Sequence, residues 1–180
     1  EQPSRTRVEI VVLLLVLEEG LGVLYTRCYL QRSYFGWWDV GSDSMQQYVP
    51  CCLNLVSSLR SGTLGFWNFQ YGLGVSFMSY QSWTLDPFNL VVIPICLVGG
   101  TQYLSLALVV AQSLKIVLAG LLFDHLLVYY CHCPLARVLG ASLYAFCGYL
   151  LLWGQHYWLG GVCEISVALL VALEALMQHW

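Results

Sequence analysis

The chain alternates between long apolar runs and shorter polar or aromatic segments. A run at residues 88–98 has 11 residues and contains Pro94, a length more typical of a re-entrant or interfacial segment than of a span. The other runs are close to the length that a helix needs to cross a bilayer, roughly 17–25 residues. They comprise residues 8–25, 103–130, 138–153 and 162–178. The pattern predicts an all-α integral membrane protein with about four transmembrane helices.

The basic residues give an orientation to these helices. Arg5 and Arg7 precede the first run, and Arg137 lies in a short loop after the second. Because cytoplasmic loops are enriched in Lys and Arg, both chain termini are predicted inside the cell. Residues 1–180 then form one membrane domain, and residues 26–101 form a long first extracytoplasmic segment. If 88–98 spans instead, the later loops exchange sides.

An amphipathic helix is predicted early in this extracytoplasmic segment. Asp43 or Ser44 stands where a helix start accepts a capping side chain, and Pro50 will kink the helix or delay its start. Residues 67–74 are predicted to be irregular, with glycines that allow positive φ or close backbone approach. The helix would lie on the membrane surface, because its apolar residues recur at helical spacing: Met45, Tyr48, Val49, Cys52, Leu55, Val56 and Leu59.

Charged residues are rare but fall inside the predicted spans. They make up 9% of the chain, against about 25% in soluble domains. Glu18 and Glu19 either contact another helix or lie near a membrane face. Lys115 is a functional candidate, since ionisable groups within spans usually are, unless it extends to the interface. Asp124 needs a partner on another helix or at an interface, and with His125 it lies near the inner end of the span, where both could reach the headgroups.

Other chemistry is limited by composition. The net charge of −3, without a basic tract, gives no electrostatic support for nucleic-acid binding. The sequence Cys131-His132-Cys133 is a lone CxC without a second pair of ligands, so we predict loop residues there and no metal site. Three further cysteines lie in apolar runs and are predicted to be small buried side chains: Cys96, Cys147 and Cys163.

Several motifs in order resemble the bacterial YfhO membrane-protein family, within the C-type glycosyltransferase superfamily. Family members are several times longer, so the chain resembles their N-terminal part only. Asp86 departs from the serine that is usual in the family. The motifs that carry the resemblance are DSMQQYVP at 43–50, FWNFQYGLG at 66–74, DPFNL at 86–90, and LKIVLAGL at 114–121 followed by LGASLYAFCGY at 139–149.

The resemblance implies an enzyme in the full-length protein. Such a glycosyltransferase would take a sugar from a polyprenyl-phosphate donor and transfer it to a cell-envelope polymer such as teichoic acid. The resemblance also implies a multi-pass protein of the bacterial plasma membrane, in contact with membrane lipids. In this superfamily the first exterior loop supplies an essential acidic residue, and Asp43 matches that position.

The predicted site therefore centres on Asp43 as the base that takes the acceptor hydroxyl proton. Its structural alternative is a helix N-cap. Asp39 could share the site, and two carboxylates suit a divalent cation. His156 could meet the phosphate or the second substrate, unless it is an ordinary interfacial histidine. The remaining predicted substrate-binding residues are Gln46, Gln47 and Tyr48.

Two other functions remain open from the sequence. A transporter would use ionisable groups such as Lys115, Asp124, Glu18 and Glu174 in the membrane, although no internal repeat is visible. A non-catalytic membrane scaffold would need none of them. The three hypotheses differ in where they place the essential carboxylate. The enzyme would have it in the exterior loop and the transporter in the membrane interior, whereas the scaffold would have no essential carboxylate.

Overall fold

The computed structural model describes residues 6–31, 44–63, 67–69, 72–76, 86–153 and 157–178. Helices dominate this part of the chain, which confirms the predicted all-α class. In order, the elements are α1 (Arg7–Gln31), a π-helical turn (Ser44–Tyr48), α2 (Val49–Ser61), β1 (Trp67–Asn68), β2 (Val75–Ser76), α3 (Asn89–Gly99), a 3-10 turn (Thr101–Tyr103), α4 (Leu104–Leu127), α5 (Pro134–Ala145), α6 (Gly148–Leu152) and α7 (Tyr157–Gln178).

Helix α1 packs on the bundle along one stripe of its surface. At Gly120 of α4 an added Cβ would lie 3.0 Å from Leu17 and 3.3 Å from Ala145 of α5, so glycine there lets three helices approach closely. The stripe packs against α4 and α5, and its members recur about one helical turn apart: Leu13, Leu17, Leu21, Tyr25 and Cys28.

A buried ion pair fixes the start of α1 to the start of α5. Thr6 and Glu9 form a capping box, in which each backbone N–H donates to the other side chain, at 3.2 and 3.4 Å. Both Glu9 carboxylate oxygens also accept from the Arg137 guanidinium at 2.5 Å. Arg137 donates once more to the carbonyl of Cys131, at 3.0 Å. This bidentate arrangement is the strong form of a charged hydrogen bond.

The same contacts show that the long helices alternate in direction. The Glu9–Arg137 pair joins the start of α1 to the start of α5. The hydroxyl of Tyr130, between α4 and α5, donates to Glu174 near the end of α7. The start of α1 and the end of α7 therefore lie at one end of the bundle. This agrees with the predicted order of helices, while the side of the membrane stays a prediction.

Helix α2 is the predicted amphipathic helix. Its regular part begins at Val49 after the π-helical turn, with Pro50 in the first turn, so the proline delays the helix start. It ends at Gly62, which has a φ of 66°. The buried side chains Val49, Cys52 and Val56 belong to a cluster with residues of α3 and α4. The apolar face of α2 is thus covered by protein.

Helix α3 is a short partner of α4. Its 11 residues extend about 16 Å, roughly half the thickness of a bilayer core. Gly100 turns the chain into α4 with a φ of 102°, a conformation that favours glycine. Arg60 of α2 donates to the carbonyls of Cys96 and Leu97 at 2.9 and 3.0 Å, which caps the end of α3. The length of α3 supports the prediction of a re-entrant segment.

The segment predicted to be irregular contains a small hairpin. Strands β1 and β2 pair antiparallel, with Trp67 opposite Ser76. Gly72 and Gly74 have φ values of 54° and 105°. A Cβ at Gly74 would collide with the Trp67 indole. The positive φ and the close approach expected of these glycines are both confirmed.

Three helical stretches in the described chain are long and apolar enough to cross a membrane: 101–127, 134–152 and 160–178. They match three of the predicted spans. The 25 residues of α1 would also reach across, but the helix carries Glu9, Glu18 and Glu19, so its role as a fourth span stays a prediction.

Replacing Arg137 with methionine should destabilise the protein strongly. Glu9 would stay buried without its counter-ion, which typically costs about 3–5 kcal/mol. The double variant Glu9→Gln with Arg137→Met removes both charges and keeps the cap, so it should recover most of the loss. Unfolding free energies in mixed detergent micelles would measure this. A double variant as unstable as the single one would contradict the role of the ion pair.

Cysteine labelling should place both predicted exterior loops on the outer face. Ser44→Cys and Gln155→Cys would be introduced singly into a cysteine-free background and treated in intact cells with a membrane-impermeant thiol reagent. We expect both to be labelled. Labelling at position 44 alone would show that 88–98 spans the membrane, which would remove His156 from the outer face.

Candidate functional site

Lys115 lies in the middle of α4 and is completely buried. Its Nζ is 2.7 Å from Oδ2 of Asp86, and the two side chains are 0% and 3% exposed. The ammonium also lies 5.1 Å from the centre of the Phe88 ring, within range of a cation–π interaction. Lys115 therefore does not extend to the interface; its partner comes from a different segment, as a charge at this depth requires.

The start of α3 holds Asp86 in place. Its Oδ1 accepts from the N–H of Phe88 at 2.9 Å, and its backbone carbonyl accepts from the N–H of Asn89 at 2.9 Å. Pro87 suits this first turn, because proline there removes no helical hydrogen bond. The carboxylate is thus stabilised by a helix N-terminus and by Lys115 together.

A cavity of about 800 Å³ lies next to this ion pair, between α3, α4 and α7. Asp86 and Glu164 are the acidic residues among those that line it. Its other walls are almost entirely apolar, and examples are Phe88, Val91, Leu118, Leu122, Ile165 and Ala168. The cavity has the size and composition of a site for an amphiphilic small molecule.

Glu164 differs from the other acidic residue of the cavity. Only 4% of the residue is exposed, and neither carboxylate oxygen has a hydrogen-bond partner within the ranges that the structure describes. Lys115 and Asp86 are close enough to act on it electrostatically. The lining of the cavity thus combines an internally paired carboxylate with a buried one that has no hydrogen-bond partner among the described residues.

The first part of α2 faces the same region. Burial, together with the neighbouring Cys51, Cys96 and Asp86, raises the pKa of Cys52 to about 12, so the thiol stays protonated. Phe88 lines the cavity and packs against the cluster that contains Val49 and Cys52, so the start of α2 lies close to the cavity. The predicted binding residues just before it are placed differently: Gln46 and Gln47 are exposed, whereas Tyr48 is buried in the cluster with α3 and α4.

The remaining predicted site residues have mixed outcomes. Asp39, Asp43 and His156 lie outside the described residues, so their proposed roles stay predictions. Glu18 and Glu19 are exposed on α1, and Glu18 borders a pocket that Val117 of α4 also lines. Residues 131–133 form part of the predicted loop, but the loop placement of Arg137 is wrong, because Arg137 lies in α5 and is buried.

Of the two alternatives for Asp124, the structure shows partners on other helices, and the placement at the headgroups is wrong. Its side chain is completely buried, and it acts electrostatically on Arg137 and contacts Glu9. The physical reason is that Arg137 turns inward to meet Glu9 and brings a positive charge into the bundle beside the end of α4. Asp124 thus belongs to a buried charged cluster.

Two partners were missed by the sequence analysis. Asp86 was noted only because the family usually has serine at this position. A carboxylate in place of that serine, in a chain with a lysine inside a span, could have indicated an ion pair. Glu9 stands in the first turn of α1, where an acidic residue is ordinary, so nothing in the sequence marks it as the partner of Arg137.

These features define an all-α membrane protein whose charged side chains pair inside the helix bundle beside an apolar cavity. The chain matches the model of the family described as bacterial membrane protein YfhO over residues 23–162. The match covers more than half of the chain, and the chain therefore belongs to this family. Neither the curated proteins nor the solved structures gave a match.

Replacing Lys115 with methionine should destabilise the bundle by about 3–5 kcal/mol, because Asp86 would be buried without a counter-ion. Asp86→Ser should cost less, since serine can still cap α3 and Lys115 keeps Glu164 nearby. The double variant should recover most of the stability. Unfolding in mixed micelles would rank the three variants, and equal losses in all of them would contradict the pairing.

Proposed function

We propose that the full-length protein is a glycosyltransferase of the bacterial plasma membrane. It would transfer a sugar from a polyprenyl-phosphate donor to a cell-envelope acceptor such as teichoic acid. The observation that carries this proposal is the cavity of about 800 Å³ with apolar walls and two carboxylates. An isoprenoid chain matches the walls, and sugar hydroxyls match the carboxylates. Membership of the YfhO family supports the same assignment.

The reaction would use Asp43 as its base. Asp43 immediately precedes the π-helical turn, and the start of α2 lies close to Asp86. Its carboxylate would take the proton of the acceptor hydroxyl while that oxygen attacks the anomeric carbon. The bond from this carbon to the donor phosphate oxygen breaks, and the phosphate leaves with the electron pair. Positioning such a base contributes about 10²–10⁴-fold in rate.

The other predicted residues would bind substrate. Gln46 and Gln47 are exposed beside this segment, and their amides could hydrogen-bond a sugar or the acceptor. Tyr48 would support them from the core. Asp39 would share the site with Asp43, and the two carboxylates would suit a divalent cation. His156 would meet the phosphate or the acceptor.

A transporter is the second candidate, because the Lys115–Asp86 pair and Glu164 lie within or beside spans, where ionisable groups often handle ions or protons. In a transporter the essential carboxylate would lie at the cavity, and the exterior loop that contains Asp43 would have no essential carboxylate. The scaffold reading assigns no essential carboxylate at all.

Asp43→Asn tests the enzyme reading, because asparagine keeps the shape and the capping ability but cannot act as the base. Membranes containing the full-length protein would receive polyprenyl-phosphate glucose, galactose or N-acetylglucosamine with teichoic acid. We expect transfer to fall about 10²–10⁴-fold with normal insertion. Glu19→Gln, on the exposed side of α1, is the control and should leave transfer unchanged. Full transfer by Asp43→Asn would exclude Asp43 as the base.

A further inference from the structure

Glu164 is set apart from the other buried charges of the bundle. Lys115 is held by Asp86 at 2.7 Å, and Arg137 is held by Glu9 at 2.5 Å. Glu164 is almost as deeply buried, yet both of its carboxylate oxygens lack a hydrogen-bond partner in the described part of the chain. It also lines the cavity. An unsatisfied polar group at a cavity wall indicates that a ligand completes it.

The protein itself gains nothing from this carboxylate. A charged group in apolar surroundings is unfavourable unless it is paired and hydrogen-bonded. Lys115 attracts Glu164 from nearby, but its ammonium donates to Asp86. Glutamine or leucine at position 164 should therefore leave the protein as stable as before, or more stable. Glu164 fits a functional group better than a structural one.

The chemistry of the cavity limits what can bind there. Both oxygens of Glu164 lack a hydrogen-bond partner in the described part of the chain, and carboxylate oxygens accept hydrogen bonds, so a ligand that completes them presents donors. The apolar walls on α4 and α7 require a hydrocarbon part. Lys115 is already paired with Asp86, so it offers little net attraction to a dianionic group at this position. A hydroxyl-rich head on a hydrocarbon chain meets all three conditions.

We propose that Glu164 binds the sugar hydroxyls of the lipid-linked donor and thereby distinguishes the donor from the spent lipid carrier. This inference rests on the proposed glycosyl transfer. The donor is a phosphodiester with one negative charge, and its sugar separates that charge from Glu164. After transfer the carrier ends in a phosphate monoester with a charge of about −1.5 to −2 at pH 7. The spent carrier no longer has the sugar hydroxyls that bind Glu164, and its phosphate is repelled by the acidic side chains of the cavity. The spent carrier therefore dissociates.

Binding to the purified full-length protein tests this proposal without requiring transfer. The probes are farnesyl phosphate and its glucosyl, galactosyl and N-acetylglucosaminyl esters, with dissociation constants measured by native mass spectrometry. We expect the wild type to bind at least one ester about tenfold or more tightly than farnesyl phosphate, the size of a charged hydrogen bond. Glu164→Gln should weaken the binding of that ester and strengthen the binding of farnesyl phosphate. The ratio of the two dissociation constants should therefore fall to near one.

A second variant separates attraction from repulsion. Glu164→Asp keeps the charge but withdraws it by one methylene, so it should weaken the sugar ester while still disfavouring farnesyl phosphate. Glu174→Gln is the matched control, because it makes the same change on the same helix away from the cavity, and it should keep the wild-type preference. Thermal melting should show Glu164→Gln to be no less stable than the wild type.

The outcomes are distinct. An unchanged preference in Glu164→Gln would overturn the role of Glu164 while leaving glycosyl transfer in place. The role would also be overturned if the wild type bound all four lipids equally. Failure of the wild type to bind any of them would overturn the proposed function and this inference together. A lower melting temperature of Glu164→Gln with an unchanged preference would instead assign a structural role.

Discussion

The bundle depends on pairing charges away from water. The low dielectric of a helix bundle in lipid leaves a buried charge few options besides a partner of opposite sign. Lys115 and Asp86 are 29 residues apart in the chain, and Arg137 and Glu9 are 128 apart. The first pair lies between two consecutive helices, and the second joins helices that are far apart in the chain. One holds the short helix α3 against the middle of α4, and the other closes α1 onto α5.

The two pairs divide the molecule into a structural end and a candidate active region. Glu9 and Arg137 are held by a capping box, a bidentate contact and a backbone carbonyl. The Lys115–Asp86 pair borders a large apolar cavity, where Glu164 has no hydrogen-bond partner among the described residues. A protein that stabilises its fold at one end can retain an unfavourable group at the other, as functional sites commonly do.

Patterns along the chain predicted the helices well, because long apolar runs mark the spans and apolar residues at helical spacing mark α2. The shortness of α3 followed from the length of its apolar run, while its re-entrant placement stays a prediction, and the delayed start of α2 followed from Pro50. Partners could not be predicted in the same way, since periodicity gives the face of a helix but not its neighbour. Lys115 was expected to need a partner that only the structure identified as Asp86. Asp124 was misplaced because the inward turn of Arg137 leaves no local signal.

The hairpin of α3 and α4 bears on how the chain enters the bilayer. Lysine at the centre of a helix opposes insertion by about 2.5–3.5 kcal/mol, and α3 is too short to be recognised as a span by itself. Asp86 is synthesised before Lys115, and the tight turn at Gly100 brings the two segments side by side. The hairpin can thus partition into lipid as one unit with its charges already neutralised. A residue that looks costly in a single helix becomes acceptable through co-translational pairing with its neighbour.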